Sequence, residues 1–205
     1  MAYNNFLLRL FFSIIFISIY LICSYISFKL VFYLIFLIYL LILLEIFLYF
    51  KNYKLLPIVY LLISFIFFIQ IDFNEKAFLS FNLFIILVIS FDIFSYIFGF
   101  VFGKNKLTKI SPNKTYEGLI GGVLSSFIIS IFFSFLADII LNIQLVIFLL
   151  LIIFSAFIGD LIESFYKRKN NLKNSSDFIP GHGGVFDRFD SFLFAIIIYS
   201  LSLNN

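Results

Sequence analysis

Asp160 and Glu163 stand three residues apart, and so do Asp187 and Asp190. On helices each spacing brings two carboxylates to one face. Two acidic pairs therefore flank one polar segment and can converge on a divalent cation. Magnesium suits such a set, because it takes hard oxygen ligands and shares its shell with water and substrate phosphates. Between the pairs lies Pro180-Gly-His-Gly-Gly184, in which glycines on both sides of His182 open backbone conformations that other residues avoid. The 33 residues from Gly159 to Ser191 hold five of the eleven carboxylates, five of the fourteen basic residues and the single histidine. Polar groups are costly beside a bilayer, so their concentration in one stretch marks a site. For either pair alone, salt bridges to Lys167, Arg168, Lys169 and Arg188 are the simpler reading.

A second polar stretch runs from Gly103 to Gly122 and contains Ser111-Pro-Asn-Lys-Thr-Tyr-Glu-Gly118. A solvated basic loop would explain its four lysines, Lys104, Lys106, Lys109 and Lys114. Ser111, however, precedes a proline and is pushed towards an extended conformation. The run then leads directly into an apolar segment, whose first N–H groups and helix dipole favour anions. Lys114-Thr115 resembles the end of a phosphate loop, but the preceding G-x-x-x-x-G is missing and a Walker-type site is not supported. Gly118, Gly121 and Gly122 serve either close helix packing or close approach of a ligand.

Together these residues offer cations for phosphates, carboxylates for a metal and backbone N–H groups for oxyanions. No arrangement of serine, cysteine and histidine points to a covalent nucleophile. The set is what phosphoryl or nucleotidyl transfer requires, namely positioning plus charge neutralisation.

The rest of the 205-residue chain must position that chemistry, and its composition says how: 63% of residues are hydrophobic and 12% charged. With a mean hydropathy of +1.16, the chain falls among integral membrane proteins. Apolar runs at roughly 6–28, 30–50, 55–71, 77–98, 119–136, 145–158 and 186–203 approach the ~20 residues that cross a bilayer as helix. The expectation is an all-α, polytopic membrane protein of about seven transmembrane helices. Its N-terminal helices occupy 1–76, and a catalytic transmembrane part occupies 77–205 with polar loops at 99–118 and 159–190. The first run is too long, and lacks the small-residue cleavage site, for a removable signal peptide. Cys23 is alone, which excludes an intrachain disulfide, and Ile22 stands where a lipoprotein cleavage site needs a small residue. It reads as a packed or lipid-facing apolar residue.

Basic loops stay on the cytoplasmic side. With a cytoplasmic N-terminus, Arg9, Lys51, Lys54, Lys104, Lys106, Lys109, Lys114, Lys167, Arg168, Lys169, Lys173 and Arg188 lie inside and only Lys29 and Lys76 lie outside. That split puts both polar segments on one face and the C-terminus outside, in the cell (inner) membrane. Besides Asp187 and Asp190, two carboxylates fall within spans. Glu45, near the end of the second, reads as a helix-end group that reaches the interface or pairs with Lys51. Asp92 shares a helix face with Tyr96, four residues on, and is either a plain helix-end carboxylate or a site residue.

At these residues the chain closely resembles the phosphatidate cytidylyltransferase family, also called CDP-diacylglycerol synthases. The pattern of a serine, Lys-Arg, a further lysine, P-x-H-G-G and D-R-x-D is matched by Ser164, Lys167, Arg168, Lys173, Pro180, His182, Gly183, Gly184, Asp187, Arg188 and Asp190. Asp92, Tyr96, Gly99, Gly103 and the S-P-x-K-T-x-E-G-x-x-G-G run at 111–122 resemble a second block, so the likeness covers about half of the chain, Phe91 to Ser191. Asn174 stands where the family commonly has aspartate, and the N-terminal part looks shorter than in other members.

The resemblance implies that CTP and phosphatidic acid give CDP-diacylglycerol and pyrophosphate, with magnesium as cofactor, room for a second cation, and a second copy of the chain as a partner. It implies Asp160 and Asp187 as metal ligands, with Asp190 and Glu163 as further ligands or supporting groups. Lys114, Lys167 and Arg168 would neutralise phosphates. His182 would either donate to the leaving pyrophosphate or orient CTP. Ser111, Thr115, Glu117, Gly118, Asp92, Ser164, Lys173, Gly183, Gly184 and Arg188 would complete the substrate site, with a structural pairing to Asp160 as the alternative for Arg188. Rival readings are a CTP-dependent polyprenol kinase or another lipid cytidylyltransferase. A transporter fits less well, because it would spread ionisable residues through mid-membrane.

Overall fold

The computed structural model describes residues 2–75, 77–108, 111, 114–178 and 183–203, with side chains from residue 14 onward. Among the described residues seven helices follow one another: α1 (Ala2–Ile26), α2 (Phe28–Tyr49), α3 (Leu55–Ile69), α4 (Phe78–Phe102), α5 (Tyr116–Leu136), α6 (Ile143–Lys169) and α7 (Phe186–Leu203). Four of them, α2, α4, α5 and α6, are long and apolar enough to cross a membrane, which needs about 20 helical residues. The chain is a multi-pass, all-helical membrane protein. α3 is shorter, with 15 residues and about 22 Å of rise.

The helices extend further into the polar stretches than composition suggests. α6 continues through Lys169, so Asp160, Glu163, Ser164, Lys167 and Arg168 are on a helix and not in the loop expected at 159–190. Nothing in Leu161–Lys169 breaks a helix, and its Leu, Glu, Lys and Arg are good helix formers. The stop comes at Asn170-Asn171. Asn171 adopts the left-handed region at φ 57°, Leu172 N–H donates to Lys167 O at 2.9 Å and Asn171 N–H to Arg168 O at 3.1 Å. This is the pattern of a Schellman motif.

Likewise the first polar loop is confined to residues between Phe102 and Tyr116. Thr115 caps α5 by accepting the Gly118 N–H at 3.1 Å. The loop doubles back on itself, with Leu107 N–H to Lys114 O at 2.8 Å and Tyr116 N–H to Asn105 O at 3.1 Å.

Two close helix crossings set the geometry of the polar end. A Cβ on Gly118 would lie 2.7 Å from the Ser95 carbonyl oxygen and 3.0 Å from the Gly99 Cα, so α5 presses directly on α4. Gly121 and Gly122 face Phe98 and Ser95 of the same helix. Buried Ser126, Ser130 and Ser134 continue the small-residue row along α5. Helix packing, one of the two readings open for these glycines, is realised at all three. A Cβ on Gly159 would lie 2.5 Å from the Asp190 carbonyl oxygen and 3.2 Å from that of Ser191. That absence of a side chain lets the first turns of α7 lie against the second half of α6.

α7 is also fastened to the other helices. Tyr39 and Ser64 hydroxyls meet at 2.6 Å, and Ser64 donates to Leu193 O at 2.6 Å, which joins α2, α3 and α7. Ser80 of α4 meets the Tyr199 hydroxyl at 3.0 Å, beside a Phe84–Tyr199 ring contact of 4.7 Å. Cys23 is partly buried and not in a disulfide.

A branched side chain at Gly159 must push α7 away from α6. Gly159→Val is expected to lower the thermal unfolding midpoint of the purified protein in detergent, by about 1–3 kcal/mol of stability. Ile158→Val, at an exposed neighbouring position, should leave that midpoint nearly unchanged.

Candidate active site

The C-terminal half of α6 and the first turns of α7 face α4 and the start of α5 across a cavity of ≈ 430 Å³. Its acids come from three helices: Asp92 on α4, Asp160 on α6, and Asp187 and Asp190 on α7. Its bases are Lys114 before α5, Lys167 and Arg168 on α6, Lys173 in the loop that follows and Arg188 on α7. Ser111, Thr115, Gly118, Ser164 and Asn174 also line it, while Phe91, Tyr96, Leu119 and Phe157 give it an apolar side.

Lysines hold the carboxylates. Lys114 is ion-paired with Asp160, which ties the first polar segment to the second, and its ammonium lies 5.1 Å from the centre of the Phe157 ring. Lys167 sits between two acids, 2.5 Å from Glu163 and 2.6 Å from Asp187. The second oxygen of Asp187 accepts the N–H groups of Ser175 and Gly184, each at 2.9 Å. One carboxylate thus draws both ends of the loop between α6 and α7 together. Gly183 takes φ 85°, and a Cβ there would lie 2.7 Å from Asp187 Oδ2, so both its backbone conformation and its lack of volume are used. Asp92 accepts the Ser191 hydroxyl at 2.8 Å and joins the site across the α4–α7 boundary.

Not every expected residue lies in the cavity lining. Glu163 is fully buried beneath Lys167 and is not part of the lining. Glu117 turns towards its own loop, accepting the N–H groups of Lys104 and Asn105 at 3.2 Å and the Asn105 amide at 2.8 Å. Gly183 and Gly184 shape the Asp187 turn. His182 and Pro180 lie outside the described residues. Glu45 differs from its expectation outright: it neither reaches an interface nor faces Lys51, but is fully buried and accepts the N–H groups of Val185 at 2.7 Å and Phe186 at 3.1 Å. Because α7 begins against the end of α2, the nearest partners are backbone donors and not a lysine. A lone carboxylate in a helix whose other charge, Lys29, lies at the far end was the signal available for it. Ser95 and Phe157 also line the cavity without having been singled out. They stand three residues after Asp92 and three before Asp160, the helical spacing that marks a shared face.

Among the described residues no three of histidine, cysteine, aspartate and glutamate gather closely enough to enclose a metal. The donor set fits a hard cation held by one or two carboxylates and completed by water and phosphate oxygens. It does not fit an all-protein cage.

Apolar helices around a cavity in which lysines and arginines meet carboxylates define a multi-pass membrane protein with a charged cavity. The family follows from comparison with known proteins. The chain belongs to the cytidylyltransferase family, whose model matches residues 2–204. It is 49% identical over 112 residues to a phosphatidate cytidylyltransferase of Staphylococcus haemolyticus, covering 53% of this chain and 43% of that protein. It is 39% identical over 153 residues to the protein of the same name in Staphylococcus epidermidis, covering 73% of this chain and 57% of the relative. A Staphylococcus aureus relative of that name is 38% identical over the same length. The chain thus spans about half the length of the curated relatives it matches.

Removing Lys167 strands two acids, one of them fully buried. Lys167→Met is expected to cost about 3–5 kcal/mol, measured by thermal unfolding in detergent. Lys114→Met should cost much less, because Asp160 keeps 30% of its side chain exposed.

Proposed function

We propose that the chain is a phosphatidate cytidylyltransferase, which converts CTP and phosphatidic acid to CDP-diacylglycerol and pyrophosphate in phospholipid synthesis. The observation that carries this reading is Lys114 on Asp160: cations from the first polar segment and acids from the second meet in one cavity. Family membership and the names of the relatives support it. In the same reading all seven helices belong to the membrane part, with the N-terminus and both polar segments on the cytoplasmic side and the catalytic residues within 77–205.

An oxygen of the lipid phosphate forms the new bond to the α-phosphorus of CTP. The bond from that phosphorus to the bridging oxygen breaks, and its electron pair leaves with pyrophosphate. A phosphate monoester has a second pKa near ~6, so the attacking group is largely ionised at neutral pH and needs no general base. The difficulty is bringing two polyanions together. Lys114, Lys167, Arg168, Lys173 and Arg188 supply the positive charge, in a cavity whose walls weaken solvent screening. Phosphates entering it compete with Asp160 and Asp187 for Lys114 and Lys167. Those carboxylates, with Asp190 as a further donor, would then hold magnesium, which when bound neutralises charge on the phosphate oxygens. Phe91, Leu119 and Phe157 give the lipid end of the acceptor an apolar surface.

Membranes carrying the protein, incubated with magnesium, phosphatidic acid and CTP labelled at the α-phosphorus, are expected to move label into the lipid phase and release pyrophosphate. Label entering lipid from the γ-position instead would replace this reading with a kinase. Chelation of divalent cations should stop turnover, and magnesium should restore it. Asp160→Asn should lower turnover on the order of 100-fold at an unchanged amount of inserted protein.

A further inference from the structure

Glu45 comes from α2, far from the polar segments in sequence, and has 0% of its surface exposed. Burying a carboxylate in an apolar helix is costly, and an apolar side chain would fill the space without that cost. What the carboxylate meets is the start of α7. Three successive N–H groups there go to two carboxylates: Gly184 to Asp187 at 2.9 Å, then Val185 at 2.7 Å and Phe186 at 3.1 Å to Glu45. The first N–H groups of a helix have no partner within it, and a residue just before the helix often supplies one. Here the preceding residues are Gly183, Gly184 and Val185, which carry no side-chain oxygen. The acceptor comes instead from 140 positions away.

We propose that Glu45 is a positioning residue for nucleotidyl transfer: from α2 it fixes the first turn of α7, and so the direction in which Asp187 presents its other oxygen to Lys167 and the cavity. The inference rests on the function proposed above. It also accounts for Gly184, where a Cβ would overlap Glu45 Oε1 and the Ser175 hydroxyl. Gly184 is glycine because the Glu45 carboxylate occupies the space beside it. Glu45 has a second consequence. Its carboxylate takes the first N–H groups of α7, so that helix terminus is closed to phosphates.

The test uses the full chain in membranes, with kcat, KM for CTP and amide hydrogen exchange over 183–187 as readouts. Glu45→Leu leaves the Val185 and Phe186 N–H groups without an acceptor. It is expected to speed exchange in that segment and lower kcat on the order of 100-fold, with KM for CTP changed by less than about threefold. Glu45→Gln keeps an acceptor oxygen and should recover most of both. Gly184→Ala, which displaces Glu45 from the other side, should reproduce the loss of kcat and decides the matter if Glu45→Leu does not accumulate. Faster exchange with wild-type kcat in the inserted Leu variant, or wild-type kcat in Gly184→Ala, would overturn the proposal. A wild-type chain without turnover removes the enzymatic reading itself, and this is seen before any variant is compared.

Discussion

Lys167 holds Glu163, one helical turn before it, and Asp187, at the start of α7, and the polar end of the molecule is built around keeping these three charges together. Away from water an unpaired charge costs several kcal/mol, so each acid must find a cation or a set of N–H donors at close range. Glu163 has no access to solvent and depends on Lys167. Asp187 divides itself, giving one oxygen to Lys167 and the other to Ser175 and Gly184. That arrangement requires α6 and α7 to run close together. Gly159 makes this possible, because any larger residue would collide with the α7 backbone.

α7 is accordingly tied to its neighbours along its length. Its beginning is fixed by Asp187 and Glu45, its middle by Ser64 and its far half by Ser80 through Tyr199. Interhelical hydrogen bonds of this kind contribute on the order of 0.6 kcal/mol each in membrane proteins. They serve to fix rotation and register more than to supply stability. Opposite α7, Lys114 arrives on a loop that is folded by its own hydrogen bonds, including those made by Glu117. The site therefore joins carboxylates on packed helices to a lysine on a shorter, self-braced loop.

On the proposed function, the charges also account for how the cavity receives polyanionic ligands. Lys114 and Lys167 neutralise Asp160 and Asp187, and in that reading the same lysines are the groups that phosphates would attract. Positive charge is thereby stored where it is needed without leaving either sign unpaired in an apolar surrounding.

Much of this was legible in the sequence. The all-α class and the number of helices follow from apolar run lengths. The chemistry-bearing residues stand out because acids, lysines and paired glycines are rare elsewhere in the chain. Asp92, Asp160, Asp187, Asp190, Lys114 and Lys167 were all singled out and all line one cavity. Helical periodicity is local, so it can say that Asp160 and Glu163 share a face. It cannot say which of them faces the cavity and which is buried beneath Lys167. The extension of α6 through Lys169 depended on where Asn171 could turn left-handed, and hydropathy does not record that. The ion pair of Lys114 with Asp160, and the bond of Glu45 to a helix 140 residues away, were decided only by tertiary structure. A carboxylate's partner is set by how closely helices approach, and that distance depends on small residues on two helices at once.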